Sequence, residues 1–156
     1  MGAGKTTVGG LLAQAWGVAV RDTDADIEAA EDRAISEIFV DSGEPYFREH
    51  ERAAVAAALA DHDGVLALGG GAVMDADTRA RLVGHTVVFL RVGLSAAASR
   101  VGLGASRPML LGNVRGQIKA LLDERAPVYA SVATLSVDTD GRTPDEVASE
   151  IVEALR

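Results

Sequence analysis

The residues with the most specific chemistry stand at the start of the chain, in Gly2-Ala3-Gly4-Lys5-Thr6-Thr7. Gly4-Lys5-Thr6 matches the end of the phosphate-binding pattern G-x-x-x-x-G-K-[ST]. Glycines let backbone N–H groups approach a phosphate closely. Lys5 would reach the terminal phosphates as a point charge, and Thr6 would offer its hydroxyl to Mg²⁺. A following helix would direct its positive end at the same phosphates.

The pattern is incomplete at its front. Its first glycine would lie five positions before Gly4, upstream of Met1, and the strand that feeds such a loop is missing from the sequence as well. A bare Gly-Lys-Thr also arises by chance, and the alternative is a flexible terminus without a ligand. The rest of the chain has to decide between these two interpretations.

A pair of carboxylates, Asp22 and Asp24, follows a short apolar run. In an extended segment, residues two apart face the same side. Such a pair can divide the work beside Mg²⁺, because one holds the water shell of the ion while the other accepts a proton or a substrate hydroxyl. The alternative is a helix N-cap at Asp24 with a solvated Asp22.

Three consecutive glycines, Gly69-Gly70-Gly71, end another apolar run. Three glycines in a row cost conformational entropy on folding. They are explained if a ligand or another backbone must approach closely, whereas a tight turn needs only one or two.

Three arginines lie in distinctive surroundings: Arg48 in Phe47-Arg48-Glu49, Arg107 in Ser106-Arg107-Pro108 and Arg125 in Glu124-Arg125-Ala126-Pro127. Each alone is most often a surface residue. Their planar fork nevertheless suits bidentate binding of carboxylate or phosphate. The three histidines show no metal-ligand spacing and are interpreted as structural or surface residues.

Apolar periodicity predicts alternating helices and strands, which indicates an α/β fold with a mostly parallel sheet. Ligands of such folds bind at the carboxyl ends of the strands. Pro127 should end or kink its helix, and Thr143 with Glu146 should form a capping box. Residues 102–114 are predicted to form a mobile loop. The predicted helices are 5–16, 25–33, 35–39, 44–60, 75–83, 94–101, 115–128 and 143–155, and the predicted strands are 18–20, 65–68, 86–90 and 134–137.

The composition fits one globular domain over residues 1–156, with 48% hydrophobic and 24% charged residues. The net charge of −8 and the absence of a basic block argue against nucleic-acid binding. The chain has no cysteine for a disulfide or thiolate metal site. It contains no apolar run that could span a bilayer and no signal peptide, so the expectation is a cytoplasmic protein that does not bind membranes.

Taken in order, the motifs closely resemble the shikimate kinase family of P-loop kinases, over essentially the whole chain. The motifs are specific together, although each is weak alone. The resemblance implies a three-layer P-loop kinase fold and a monomer that uses ATP and Mg²⁺ to phosphorylate the 3-hydroxyl of shikimate, in aromatic amino-acid biosynthesis. The motifs are Gly2-x-Gly4-Lys5-Thr6, Asp22-Thr23-Asp24, Phe47-Arg48 with Glu51, Gly69-Gly70-Gly71-Ala72, Arg107-Pro108 and Arg125-x-Pro127-x-Tyr129.

The resemblance also implies roles for particular residues. Asp24 would bind the substrate hydroxyls and accept the proton. Arg48 and Arg125 would clamp the substrate carboxylate, with Gly70 and Gly71 against the ring. The implied metal residues are Thr6 and, through water, Asp22; the implied nucleotide residues are Gly2, Ala3, Gly4, Lys5, Thr6, Thr7, Arg100, Arg107 and Arg142, with Lys5 and Arg107 acting on the transferred phosphoryl group and Arg107 carried by residues 102–114 as a lid.

In the family, the strand before the phosphate loop lies in the middle of a five-stranded sheet, between the strands matching 65–68 and 86–90. Its loss should expose apolar faces and leave two edges unpaired. Two explanations stay open: a start assigned too late, which we favour, or a truncated product with little activity. The functional alternatives are a non-catalytic P-loop relic and another small-metabolite kinase, such as a gluconate-type kinase.

Overall fold

The computed structural model describes residues 3–102 and 114–156, apart from the side chains of residues 100–102 and 114. Most of these residues are helical, and the strands are short. The elements, in chain order, are α1 (Lys5–Trp16), β1 (Val20–Asp22), α2 (Thr23–Glu31), α3 (Ile35–Ser42), α4 (Glu44–Asp61), β2 (Val65–Ala67), a 3-10 turn (Ala72–Met74), α5 (Ala76–Leu82), β3 (Val88–Arg91), α6 (Leu94–Gly102), α7 (Val114–Val132), β4 (Leu135–Asp138) and α8 (Pro144–Ala154).

The strands form two parallel pairs. β1 pairs with β2, with Val20 opposite Val65, and β3 pairs with β4, with Val88 opposite Leu135. Within the described residues, no ladder joins β2 to β3. The resemblance places a further strand of the family between these two pairs, and among the described residues the sheet is divided there.

A cavity of about 860 Å³ occupies this division and is lined by residues of both β2 and β3. Trp16 and Val18 also line it, and each is 41% exposed. Large apolar side chains normally gain about 1.5–3 kcal/mol each from full burial. These two apolar side chains beside the division are therefore only partly buried.

Three apolar clusters hold the remaining elements together. Between α1, α8 and β4, the buried residues include Val8, Val137 and Ile151. Ile27, Ile38 and Phe47 join α2, α3 and α4, and Ala97 with Ile118 joins α6 to α7. In the second cluster, α2 follows directly on β1, whose last residue is the predicted site residue Asp22.

β1 begins two residues later than the apolar run 18–20 predicts. Gly17 adopts a left-handed conformation with φ 65°, and the Val18 N–H donates to the Ala13 carbonyl at 3.0 Å. Val18 thus belongs to the end of α1, and the ladder with β2 begins only at Val20. The prediction of a strand over 18–20 was wrong in its position because the helix cap uses the first of these residues.

Helix α7 does not end at Pro127, which was one of the two predicted outcomes, and continues to Val132. A proline inside a helix costs about 3 kcal/mol, because one hydrogen bond is lost and the ring collides with the preceding turn. Pro127 and Asp123, whose carbonyl loses its partner, are both exposed, so water can satisfy that carbonyl. Beyond the proline, Tyr129 packs on Phe89 with ring centroids 4.9 Å apart, which favours a further helical turn.

Two other predictions about helix ends are confirmed, whereas α2 begins and ends two residues before the predicted 25–33 and α3 continues past 39 to Ser42. α1 has the predicted bounds, and Thr143 and Glu146 form the capping box of α8. Residues 103–113, most of the predicted lid, lie outside the described residues. Among the helices of the described part of the chain, none is both long and apolar enough to cross a bilayer.

Candidate active site

The phosphate-loop residues stand at the start of α1. Gly4 adopts φ 81°, a left-handed conformation that favours glycine, and its carbonyl accepts from the Val8 N–H at 2.9 Å. The first turn of α1 has neither a side-chain cap nor an acidic residue. Its amides and Lys5 are therefore available to an anion. All predicted nucleotide residues from Ala3 to Thr7 line the larger cavity.

The carboxylate pair lies at the end of β1, where α2 begins. Asp22 is the N-cap of α2, because its Oδ1 accepts from the Asp24 N–H at 2.9 Å. The alternative that placed this cap at Asp24 was wrong. Thr23 is fully buried, and its hydroxyl lies 3.4 Å from the Ala67 carbonyl that accepts its hydrogen bond. This contact fixes the start of α2 against β2 and directs Asp24 into a second, smaller cavity.

This smaller cavity, of about 250 Å³, collects all the residues that the resemblance assigns to the substrate. Its walls come from α2, α3, α4, α7 and the glycine segment that follows β2. It adjoins the larger cavity, since Gly69 and Gly70 line both. The lining residues are Asp24, Glu28, Ala34, Ile35, Ser36, Phe39, Phe47, Arg48, Glu51, Gly69, Gly70, Gly71 and Arg125.

The two arginines of this cavity have different surroundings. Arg48 donates to Glu51 Oε1 at 2.8 Å and forms an ion pair with Glu44 at 3.2 Å. Arg125 is only 7% exposed, and no hydrogen bond or ion pair joins its guanidinium to another residue of the described ranges. A buried charge without a bonded partner is costly. An anionic ligand in the cavity would supply the missing partner.

Glu51 is buried, 4% exposed, in the middle of this constellation. Burial raises its pKa above the ordinary value; the Arg48 guanidinium opposes this rise, and the Asp24 carboxylate adds to it. Glu51 belongs to one of the motifs that carry the resemblance, but no role was predicted for it. Its position three residues after Arg48 in a predicted helix was the available signal, because such residues are neighbours on the helix surface.

The glycine segment explains why these side chains fit together. A Cβ atom at position 69 would lie 2.8 Å from Asp24 Oδ1 and 2.9 Å from Glu51 Oε2. At position 71 it would lie 2.5 Å from Arg48 Nη1. At both positions a Cβ atom would force charged groups of the cavity to shift. Gly69 was not among the predicted site residues.

Of the remaining predicted residues, Arg142 and Asp22 line neither of these two cavities. Arg142 lies just beyond β4 and lines neither of them. Its guanidinium donates to the Asp138 carbonyl at 3.0 Å and pairs with Glu150 at 2.6 Å. Asp22 also lines neither cavity, because it is engaged in the cap. Gly2, Arg107 and the side chain of Arg100 lie outside what the structure describes.

Comparisons with known proteins give a consistent family assignment. A family model described as shikimate kinase matches residues 1–156. The chain is 60% identical to a shikimate kinase of Salinispora arenicola, over 99% of this chain and 92% of the relative. It is also 60% identical to a shikimate kinase of Frankia casuarinae, over 99% of this chain and 68% of that relative.

Solved structures give the same result. The fold matches a shikimate kinase from Acinetobacter baumannii, solved in complex with shikimate, with a TM-score of 0.95 and 33% identity over 99% of this chain and 88% of that one. It also matches a shikimate kinase from Bacteroides thetaiotaomicron, with a TM-score of 0.88 and 29% identity. This match covers 99% of this chain and 93% of that one. The described strands and helices are accordingly those of a P-loop kinase, and the chain belongs to the shikimate kinase family.

Proposed function

We propose that this chain transfers the γ-phosphoryl group of ATP to the 3-hydroxyl of shikimate, with the acid in the smaller cavity and the nucleotide phosphates beside α1. The observation that carries this proposal is the buried guanidinium of Arg125, which has no bonded partner in the described part of the chain and lines one cavity with Arg48 and Asp24. Two cations and a carboxylate around a small cavity suit an acid that also carries hydroxyl groups.

The carboxylate of shikimate would lie between Arg48 and Arg125. Glu51 holds the Arg48 guanidinium at 2.8 Å, so less side-chain freedom is lost when the acid binds. Arg125 is held by burial in the same way. Gly70 and Gly71 leave room for the ring, because they present backbone only. The hydroxyls would then face Asp24, which also lines this cavity.

The phosphates of ATP would bind at the N-terminus of α1. Backbone N–H groups of the first turn and the Lys5 ammonium supply positive charge there. Because Gly69 and Gly70 line both cavities, the transferred phosphoryl group and the hydroxyl would meet at these glycines. We assign Gly2, Arg100, Arg107 and Arg142 to the nucleotide as well, on the resemblance alone, with Arg107 stabilising charge on the transferred group.

The residues present fit a magnesium ion bound mainly by phosphates and water. Mg²⁺ in kinases typically uses one or two protein ligands and keeps several waters. Thr6 offers an exposed hydroxyl, and Asp22 uses only Oδ1 in its cap, so its second oxygen can hold a water. In the described ranges, no group of three or more acidic, histidine or cysteine side chains could hold a metal ion by itself. When bound, the ion would neutralise charge on the phosphate oxygens.

Asp24 is the proposed proton acceptor. Its carboxylate would take the proton of the 3-hydroxyl as that oxygen forms its bond to phosphorus and the bond to ADP breaks. Such general base catalysis contributes roughly 10²–10⁴-fold. Positioning of the two substrates supplies much of the remaining rate enhancement, because phosphoryl transfer needs little covalent chemistry from the protein.

The proposal includes three statements about the whole chain. Residues 1–156 act as one kinase domain, which the extent of the family match supports. Both cavities are built from residues of a single chain, which supports action as a monomer. The reaction takes place in the cytoplasm, where ATP is available.

An ADP-release assay with shikimate, with gluconate and with neither acid tests the proposal. We expect ADP release that depends on shikimate and on Mg²⁺, together with a phosphorylated product. Release with gluconate but not with shikimate would favour the gluconate-type alternative. Failure to turn over any acid, in a chain that still melts cooperatively, would favour the non-catalytic relic.

A further inference from the structure

Tyr129 connects the frame of the fold to the glycine segment of the site. It lies on α7, one helical turn after Arg125. Its ring packs on Phe89 of β3, with centroids 4.9 Å apart and planes inclined by 53°. Its hydroxyl donates a hydrogen bond to the Gly70 carbonyl. The side chain thus reaches from α7 and β3 to the boundary between the two cavities.

This hydrogen bond fixes the orientation of one peptide unit. The peptide that joins Gly70 to Gly71 is trans, so its C=O and N–H groups point in opposite directions. Since the carbonyl points at Tyr129, which lines the larger cavity, the Gly71 N–H points away from that residue. Gly71 lines the smaller cavity and not the larger one.

The Gly71 N–H lacks a hydrogen-bond partner among the residues that the structure describes. Gly71 is buried, and no hydrogen bond of its N–H to another described residue is formed. The neighbouring groups are paired, because the Gly69 carbonyl accepts from Ala72 and the Gly71 carbonyl from Met74, both at 3.1 Å. Well over 90% of buried backbone N–H groups have a partner. An unpaired one beside a cavity calls for a ligand or water.

We propose that Tyr129 is a positioning residue, which holds the Gly70–Gly71 peptide so that the Gly71 N–H is presented to the acid in the smaller cavity. This inference rests on the proposed function, since it takes shikimate as the occupant. Two glycines in succession would otherwise let this peptide rotate. The Tyr129 hydroxyl removes that freedom before the substrate arrives, so less entropy is lost on binding.

Calorimetric titration of shikimate and of ATP into four proteins tests the inference: wild type, Tyr129→Phe, Tyr46→Phe and Arg125→Ala. Tyr46 is the matched control, because its hydroxyl also makes a hydrogen bond, with Glu31, but not to the glycine segment. Tyr129→Phe should raise the Kd of shikimate about five- to tenfold, the effect of losing one hydrogen bond. Its Kd for ATP, and both values for Tyr46→Phe, should stay within about twofold.

The outcomes separate this inference from the proposed function. Weaker shikimate binding in Arg125→Ala with none in Tyr129→Phe would overturn the role of Tyr129 and leave the cavity assignment intact. Unchanged shikimate binding in both variants would overturn the cavity assignment itself, and the inference with it. Equal weakening of shikimate and ATP in Tyr129→Phe would show a general structural role and would also overturn the inference.

A second measurement does not depend on the folding of any variant. In wild-type protein carrying isotope-labelled glycine, shikimate should shift the Gly71 amide proton resonance downfield, as expected when a free N–H gains an acceptor. The resonance of Gly10, which lies in the middle of α1, serves as the internal control. A Gly71 resonance that moves no more than the Gly10 resonance at saturating shikimate would contradict the proposal.

Discussion

Gly71 lies so close to Arg48 that a Cβ atom at position 71 would stand 2.5 Å from one guanidinium nitrogen and 2.6 Å from the other. The backbone of the glycine segment is therefore one wall of the pocket that holds this guanidinium. Arg48 also forms ion pairs with Glu51 and Glu44. The conformation of the Arg48 side chain is therefore set both by these two carboxylates of the same helix and by the backbone at Gly71.

Gly71→Ala should consequently damage substrate binding more than stability. The colliding atoms belong to the far end of a flexible side chain, which can move away without disturbing the core. We expect the Kd of shikimate to rise about tenfold, as when a charge-assisted hydrogen bond is lost, and the Kd of ATP to change little. Calorimetric titration of both ligands checks this.

Gly10→Ala is the control for this substitution. Position 10 lies inside α1, and a Cβ there would meet no atom within 4 Å. The alanine should raise the free energy of unfolding by about 0.5–1 kcal/mol through helix propensity and leave shikimate affinity unchanged. If Gly71→Ala bound shikimate as well as Gly10→Ala does, the contact with Arg48 would have no part in binding.

The buried carboxyl of Glu51 predicts a pH dependence of stability. Burial raises its pKa in the folded protein, although Arg48 opposes the rise. Between the ordinary pKa and this raised one, the folded state binds more protons than the unfolded state, so the free energy of unfolding falls as pH rises. The stability that Glu51 contributes is fully present below its ordinary pKa and is lost as pH rises through the raised value.

Glu51→Gln isolates this contribution because glutamine does not titrate. Urea unfolding at several pH values, from about 4 upward, gives the difference in free energy of unfolding between wild type and Glu51→Gln. This difference should favour the wild type most at the acid end and shrink as the carboxyl ionises. A difference that grows with pH would mean that Arg48 outweighs burial and that the pKa is lowered instead.

Asp24→Asn should reduce the turnover rate by roughly 10²-fold or more if Asp24 is the proton acceptor. The fold should survive, because the cap of α2 is Asp22 and the substitution leaves that hydrogen bond in place. Asp26→Asn is a matched control on the same helical turn, where the carboxylate pairs with Arg21 at 2.7 Å. Steady-state rates at saturating substrates check both variants. Equal rates in the two would show that Asp24 is not the proton acceptor.

The capping box of α8 gives a prediction about stability alone. Thr143 Oγ1 accepts from the Glu146 N–H at 3.2 Å, and the Thr143 N–H donates to Glu146 Oε2 at 2.8 Å. Thr143→Ala should lower the free energy of unfolding by about 1 kcal/mol. Ser149→Ala, an exposed hydroxyl within the same helix, should change it little. Equal effects in urea unfolding would show that the cap contributes nothing.

The sequence predicted those parts of the fold that depend on local chemistry. α1 starts and ends at its glycines, Gly4 and Gly17, where the pattern placed it. The family resemblance of its motifs also predicted which substrate residues would meet. Asp24, Arg48 and Arg125 do line one cavity, although their roles there remain predictions.

Features that depend on tertiary contacts could not be predicted from the sequence. The persistence of α7 past Pro127 depends on Tyr129 meeting Phe89, which is far away along the chain. The cap at Asp22 instead of Asp24 depends on the side chain of Thr23 reaching β2. That Gly69 must lack a side chain is visible only once two carboxylates are seen beside it. In each case a distant partner overrides or completes the local preference.

The central claim is that acid and nucleotide bind side by side, each with its own donors. Dissociation constants of shikimate and ATP, measured for Arg125→Ala and Lys5→Ala, test it most directly, with Arg115→Ala as the exposed control on α7. Arg125→Ala should raise the Kd of shikimate by roughly tenfold or more and leave the Kd of ATP unchanged. Lys5→Ala should raise the Kd of ATP and leave that of shikimate unchanged. Equal loss of both ligands in either variant, or loss of ATP alone in Arg125→Ala, would contradict the assignment of the two cavities.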